Sequence, residues 1–149
     1  DIDHSRVARS NIYGLVTMGA NVTICGPPNL IPDYFADLDV IVNYNIDEVL
    51  EWADAVNVLR IQRERMGIAL IPSDREYRAL FGITEERLAR RNNELVVMHP
   101  GPMNRGVEID DRVADSDQAI ILDQVLNGVA SRMSILYLLL GSKEKEDKK

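Results

Sequence analysis

The chain predicts an α/β fold: a doubly wound, mainly parallel sheet flanked by helices, with a long C-terminal helix. Short β-branched runs alternate with stretches of helical period, and most of the connections between them are brief. Parallel strands joined through helices cross over with one hand, which fixes the winding. In such a layer ligands bind outside the carboxyl ends of the strands. The segments that leave strands are therefore where function is sought.

Ser5 to about Met18 sets Ala8, Ile12, Leu15 and Val16 on one helical face, and Gly19 supplies a stop. Ala20–Cys25 is a short β-branched run ended by Gly26-Pro27-Pro28. A brief helix near Pro32–Ala36 precedes a second strand, Asp39–Tyr44. Asp47–Trp52 reads as a short helix begun by Asn45 or Asp47, and Ala55–Leu59 as a third strand. Arg60–Leu70 has neither period and reads as a long loop. Ser73-Asp74-Arg75-Glu76 fits the Ser/Thr-x-x-Glu capping box, and Thr84-Glu85-Glu86-Arg87 resembles a second helix start. Leu95–Met98 is a fourth strand that runs into His99-Pro100-Gly101-Pro102. The last helix spans about Ser116–Leu140, with Ile121, Val125, Val129, Met133, Leu136 and Leu140 as its apolar face. Residues 1–140 form one domain of Rossmann-like plan, and residues 141–149 a charged tail.

Composition excludes several classes. At 149 residues with 46% hydrophobic side chains the chain has enough apolar surface for one ordered domain. Its formal charge of −7 comes with no basic stripe, the densest cluster being Arg87–Arg91 on a helix face, so a nucleic-acid partner is not expected. The apolar run Met133–Gly141 is far short of the ~20 residues that cross a bilayer, so no membrane partner is expected. One cysteine allows no intramolecular disulfide and fits a reducing compartment. No Gly-x-Gly-x-x-Gly, Walker loop or metal-ligand spacing occurs, so neither cofactor nor metal is expected. The opening Asp1-Ile2-Asp3-His4, without an initiator Met, reads as a strand-to-helix turn and suggests the rear portion of a longer polypeptide.

Each of the strand-leaving segments carries arginine. His4-Ser5-Arg6-Val7-Ala8-Arg9 puts Arg6 in the first turn of a helix, where the helix end already attracts anions. The alternative is a surface arginine paired with Asp1 or Asp3. In Leu59-Arg60-Ile61-Gln62-Arg63-Glu64-Arg65, Arg60 and Gln62 fall on one side, a spacing that suits a carboxylate gripped by guanidinium and amide. The alternative is a solvated charged loop. In His99-Pro100-Gly101-Pro102, prolines remove N–H donors and leave carbonyls for a ligand N–H₂, while glycine admits close approach. Pro-Gly-Pro is also an ordinary turn. With no Ser or Cys placed beside a histidine, a nucleophilic triad is unsupported.

These segments, together with Met103-Asn104-Arg105-Gly106-Val107-Glu108-Ile109 and Gln124-Val125-Leu126-Asn127-Gly128-Val129-Ala130-Ser131-Arg132-Met133, occur in one order along the chain. In that order they resemble the carboxyl-terminal, aspartate-binding half of the catalytic chain of bacterial aspartate carbamoyltransferases, from Asp1 to about Leu140. The resemblance implies transfer of the carbamoyl group of carbamoyl phosphate to the amine of L-aspartate, in pyrimidine biosynthesis in the cytoplasm. It implies that Arg6 and Arg60 bind the carboxylates of L-aspartate and that Gln62 supports substrate. It implies that the main chain of Pro100, Gly101 and Pro102 meets carbamoyl phosphate, and that Glu64 and Arg65 hold a mobile loop closed. Arg105 matches a turn arginine without a firm role.

The partners implied are an amino-terminal carbamoyl-phosphate domain absent from this sequence, further catalytic chains in a homotrimer, and regulatory chains or dihydroorotase in larger assemblies. Without that domain, independent turnover is not expected. Two rivals remain. An ornithine carbamoyltransferase-like enzyme is disfavoured because that family places a cysteine beside the corresponding histidine, where Pro100 stands here. The other is a non-catalytic α/β interaction domain.

Overall fold

The computed structural model describes residues 1–62, 64, 73–91 and 94–141. Helix α1 (Arg6–Thr17) starts where Ser5 Oγ accepts the Ala8 N–H at 3.1 Å, and it buries Ala8 and Ile12. It stops at Gly19, whose φ of 81° lies in the left-handed region that glycine enters without cost. Strand β1 (Thr23–Cys25) follows. The proline-rich connection then forms 3-10 turns at Pro28–Leu30 and Asp33–Asp37 where sequence predicts a single brief helix. Pro27, Pro28 and Pro32 supply no N–H for a continuous ladder, and the turns drive Leu30 and Phe35 to complete burial.

Strand β2 (Ile41–Asn43) pairs in parallel with β1, Ile24 opposite Val42. Asn45 caps α2 (Ile46–Trp52) by accepting the Asp47 N–H, which selects the first of the two predicted starts. Strand β3 (Ala55–Asn57) pairs in parallel with β4 (Val96–Met98), Val56 opposite Val97. Between them lie α3 (Asp74–Phe81), capped by Ser73, and α4 (Glu85–Ala89), capped by Thr84, both as their sequences predict. A short α5 (Asp111–Ala114), absent from the prediction, precedes α6 (Ile121–Leu140).

The parallel pairing is as expected, but among the described residues it forms two two-stranded sheets, β1-β2 and β3-β4. Each has its own apolar cluster. Ile2, Ala8, Ile12, Ile24, Ile31 and Phe35 gather at the first, and Leu50, Val58, Leu95, Val97, Ile109 and Val113 at the second. A cavity of about 380 Å³ lies between them, lined by both β1 and β3.

The final helix differs from its prediction at both ends of the argument. Residues 116–120 stay out of it because the edge of β4 claims them: the Val97 N–H donates to the Gln118 carbonyl at 2.8 Å and the Ile120 N–H to the Val97 carbonyl at 3.0 Å. Of the apolar face read from the sequence, only Ile121 is buried, while Val125, Val129, Met133, Leu136 and Leu140 are exposed. Helical period fixes which residues share a face, not whether anything covers it.

Candidate functional site

The opening segment and the segments that follow β3 and β4 are laced together by hydrogen bonds. The buried Asp1 carboxylate accepts the His4 N–H at 3.3 Å and lies 2.8 Å from His4 Nδ1 through Oδ1, while Oδ2 accepts the Gln62 N–H at 3.2 Å. Gln62 returns the link, its amide donating to the His4 carbonyl at 3.3 Å. The third segment joins through Asn104, whose Nδ2 donates to the Ile61 carbonyl at 3.1 Å. Residues far apart in sequence thus converge at one edge of the molecule. The carboxyl ends of β3 and β4 point there.

Arg6 sits exposed at the start of α1. The Asp1 carboxylate is engaged by His4 and Gln62, and the Asp3 carboxylate stands 4.0 Å from His4 Nε2. The first turn of α1 contains no acidic residue, so the positive end of the helix dipole and the guanidinium add. Arg60 is ion-paired with Glu64, four residues on. Arg65 and most of the loop predicted over Arg60–Leu70 lie outside the described residues, as does the tail at 142–149.

In the turn after β4, Gly101 takes φ 64° and the Gly101–Pro102 peptide is cis. Gly101 and Pro102 are exposed and Pro100 is half-buried. Beneath them His99 is fully buried: its Nδ1 accepts the Gly101 N–H at 2.9 Å and its Nε2 faces Glu108 Oε1 at 3.4 Å. The His99 ring is thus enclosed, with both nitrogens facing protein groups. Arg105 is committed elsewhere, to Asp111 and to Asp115 at 2.8 Å. That hydrogen bond holds the Asp115 carboxyl below the usual carboxylate range.

None of Arg6, Arg60, Gln62, Glu64, Pro100, Gly101 or Pro102 lines the cavity between the sheets; of the interlaced residues only Asp1 reaches it. Cys25 lines it too. Burial pushes its thiol up to about 11, against a smaller opposing pull from Arg87, which makes it a poor nucleophile at neutral pH. No group of His, Cys, Asp and Glu among the described residues is arranged to hold a metal ion. No helix among them is long and apolar enough to cross a membrane.

Comparison with known proteins decides what this arrangement belongs to. The model of the aspartate/ornithine carbamoyltransferase family, Asp/Orn-binding domain, matches residues 1–139. The chain belongs to this family. The aspartate carbamoyltransferase catalytic subunit of Carboxydothermus hydrogenoformans is 56% identical over 145 residues, covering 97% of this chain and 46% of that protein. The carbamoyltransferase-family chain described here thus spans just under half the length of such relatives. Among solved structures, the catalytic subunit of M. jannaschii aspartate transcarbamoylase aligns over 95% of this chain and 48% of its own, with a TM-score of 0.73 and 27% identity. Pyrococcus furiosus ornithine carbamoyltransferase aligns over 93% of this chain and 48% of its own, with a TM-score of 0.75 at 21% identity, a likeness of fold alone.

Sequence reasoning assigned no site role to Asp1, Asn104 or Glu108. Asp1, named from sequence only as a partner of Arg6 in the alternative reading, is a buried acceptor joining two segments. The available signal was position: each is a polar residue in a connecting segment, close in sequence to apolar residues that enter the core.

Proposed function

We propose that this chain supplies the aspartate side of an aspartate carbamoyltransferase site. Arg6 and Arg60 grip the two carboxylates of L-aspartate, and Gln62 supports the substrate. The Pro100-Gly101-Pro102 turn meets carbamoyl phosphate, while Glu64 and Arg65 hold the Arg60 loop closed. The observation that carries this reading is the lacing of Asp1, His4, Gln62, Ile61 and Asn104, which gathers the arginine-bearing segments at one edge.

In the proposed reaction the aspartate nitrogen attacks the carbamoyl carbon. A C–N bond forms, the C–O bond to phosphate breaks, and the nitrogen gives up a proton. Such a site must hold two anionic substrates side by side, which fixed guanidinium groups do, each charge-assisted contact being worth roughly 1.5–3 kcal/mol. Orientation and stabilisation of the tetrahedral oxyanion supply the remainder. An acidic chain does not forbid this, because the local field in the cleft steers substrate.

Aspartate rather than ornithine is favoured by the names of the more similar relatives and by Pro100 beside His99. Cys25 lies on another strand with its thiol raised by burial. The proposed partners are the amino-terminal carbamoyl-phosphate domain and neighbouring catalytic chains of a cytoplasmic homotrimer.

Calorimetry on the assembled enzyme tests the assignment. Aspartate should bind only after carbamoyl phosphate. Arg6→Ala and Arg60→Ala should each weaken it by at least about tenfold, with circular dichroism unchanged. Wild-type affinity in either variant would sink the residue assignment.

A further inference from the structure

Past β3 the chain leaves the sheet after Val58, whose N–H donates to the Met98 carbonyl at 2.8 Å. One peptide unit beyond that point is held at both ends. The Ile61 carbonyl accepts Asn104 Nδ2 at 3.1 Å, and the Gln62 N–H, in the same planar unit, donates to Asp1 Oδ2 at 3.2 Å. Gln62 begins at one end of that plane and Arg60 stands one residue before the other, so its orientation governs where both side chains leave the main chain. We infer that Asn104 is a positioning residue for the aspartate side of the site, held in place by the buried Glu108 carboxylate. The inference deepens the proposed function and rests on that reading for the identity of the ligand.

A carbonyl oxygen only accepts, so the Asn104 side chain must present its amide nitrogen to Ile61. Its main chain is fixed in turn: the Asn104 N–H donates to Glu108 Oε1, on a side chain 1% exposed, where water does not compete for the bond. The same oxygen faces His99 Nε2 at 3.4 Å, while Oε2 is buried with no hydrogen-bond partner among the described residues. Packing alone does not favour a carboxylate in that position, since an apolar side chain would avoid the cost of the unpartnered oxygen. Holding Asn104 accounts for it. Glu108 is itself tied to the core, its carbonyl accepting the Ile83 N–H at 2.9 Å while the Asp110 N–H donates to the Ile83 carbonyl at 3.0 Å. The Ile61 side chain is buried with Leu30 and Tyr77, which leaves the clamped plane little freedom to turn. A bonded route thus runs from the core through Glu108 and Asn104 to the segment that carries Arg60 and Gln62, and neither of the two linking residues is among those proposed to touch substrate.

The test uses the assembled enzyme with Asn104→Asp, nearly the same shape but with an acceptor where the donor stood, and Asn104→Ala. The readout is the KM for aspartate set against the KM for carbamoyl phosphate. We expect Asn104→Asp to raise the aspartate KM about tenfold and Asn104→Ala about fivefold, a hydrogen-bond-sized effect, with the carbamoyl phosphate KM within about twofold of wild type. Glu108→Gln keeps an oxygen for the Asn104 N–H and should hold the aspartate KM within about threefold of wild type. A folded Asn104 variant with the wild-type aspartate KM, an equal rise in both KM values, or a Glu108→Gln enzyme as impaired as Asn104→Asp overturns the inference. Should neither Asn104 variant fold, hydrogen exchange of the Asn104 side-chain amide in the wild-type enzyme, followed by NMR, decides. Exchange far slower than for an exposed asparagine supports the clamp, and exchange at the exposed rate overturns it. A wild-type enzyme with no turnover of aspartate removes the functional reading instead, and the amide exchange still decides whether Asn104 holds Ile61.

Discussion

Cys25 packs against the apolar cluster around β3 and β4, and that burial raises its thiol pKa to about 11. At pH 8 it carries about a hundred-fold less thiolate than a thiol with the ordinary value near 9. A thiol reagent at pH 8 should therefore label native Cys25 at about one-hundredth of the unfolded rate; labelling at the unfolded rate would contradict the packing of β1. The sign of the linkage follows from the raised value. The folded state favours the neutral thiol, so its contribution is full below about 9 and is lost as pH climbs toward 11. None of this is legible in the sequence, where Cys25 is one more residue of a strand. The caps at Ser5, Ser73 and Thr84 are legible because each bonds an N–H three residues on. Asp1 is not, since its second partner, Gln62, lies far along the chain, in the segment that follows β3.

The junction of α3 and α4 shows what elements demand of single positions. Gly82 ends α3 with its N–H on the Arg78 carbonyl, and a Cβ there would stand 2.7 Å from that oxygen and 3.0 Å from the Val107 carbonyl oxygen. Both are backbone atoms, so no side chain can swing away. Gly82→Ala should cost ~1–3 kcal/mol by urea unfolding, and a change within ~0.5 kcal/mol would show that the two segments are not so closely packed. Arg87 closes the same junction, donating to the Gly82 carbonyl at 2.7 Å, the Ala79 carbonyl at 2.8 Å and Asp47 at 2.8 Å. These bonds satisfy carbonyls that the end of α3 leaves open. Sequence places Arg87 in a basic cluster on a helix face. The structure makes it an internal fastener, a role that depends on the angle between helices and not on local pattern.

At the scale of the molecule, alternation of strand and helix was readable because each element is encoded over a few residues, whereas α6 was half readable: its period is local but its cover is not. Its face stays open over Val125, Val129 and Met133, while the site residues gather at the strand exits. The chain spans just under half the length of its relatives, and the arginines proposed here address only one of two anionic substrates. A group that polarises the carbamoyl oxygen is lacking among the described site residues, with His99 enclosed and turned to Gly101 and Glu108. Holding aspartate near the turn would then orient one reactant and leave the other unactivated, forfeiting most of the electrostatic gain. The chain alone should therefore form no carbamoyl-aspartate from carbamoyl phosphate and aspartate, and mixing it with the amino-terminal half of a relative should restore product. Full turnover by the isolated chain, followed by release of phosphate, would mean that the activating groups lie within these residues after all.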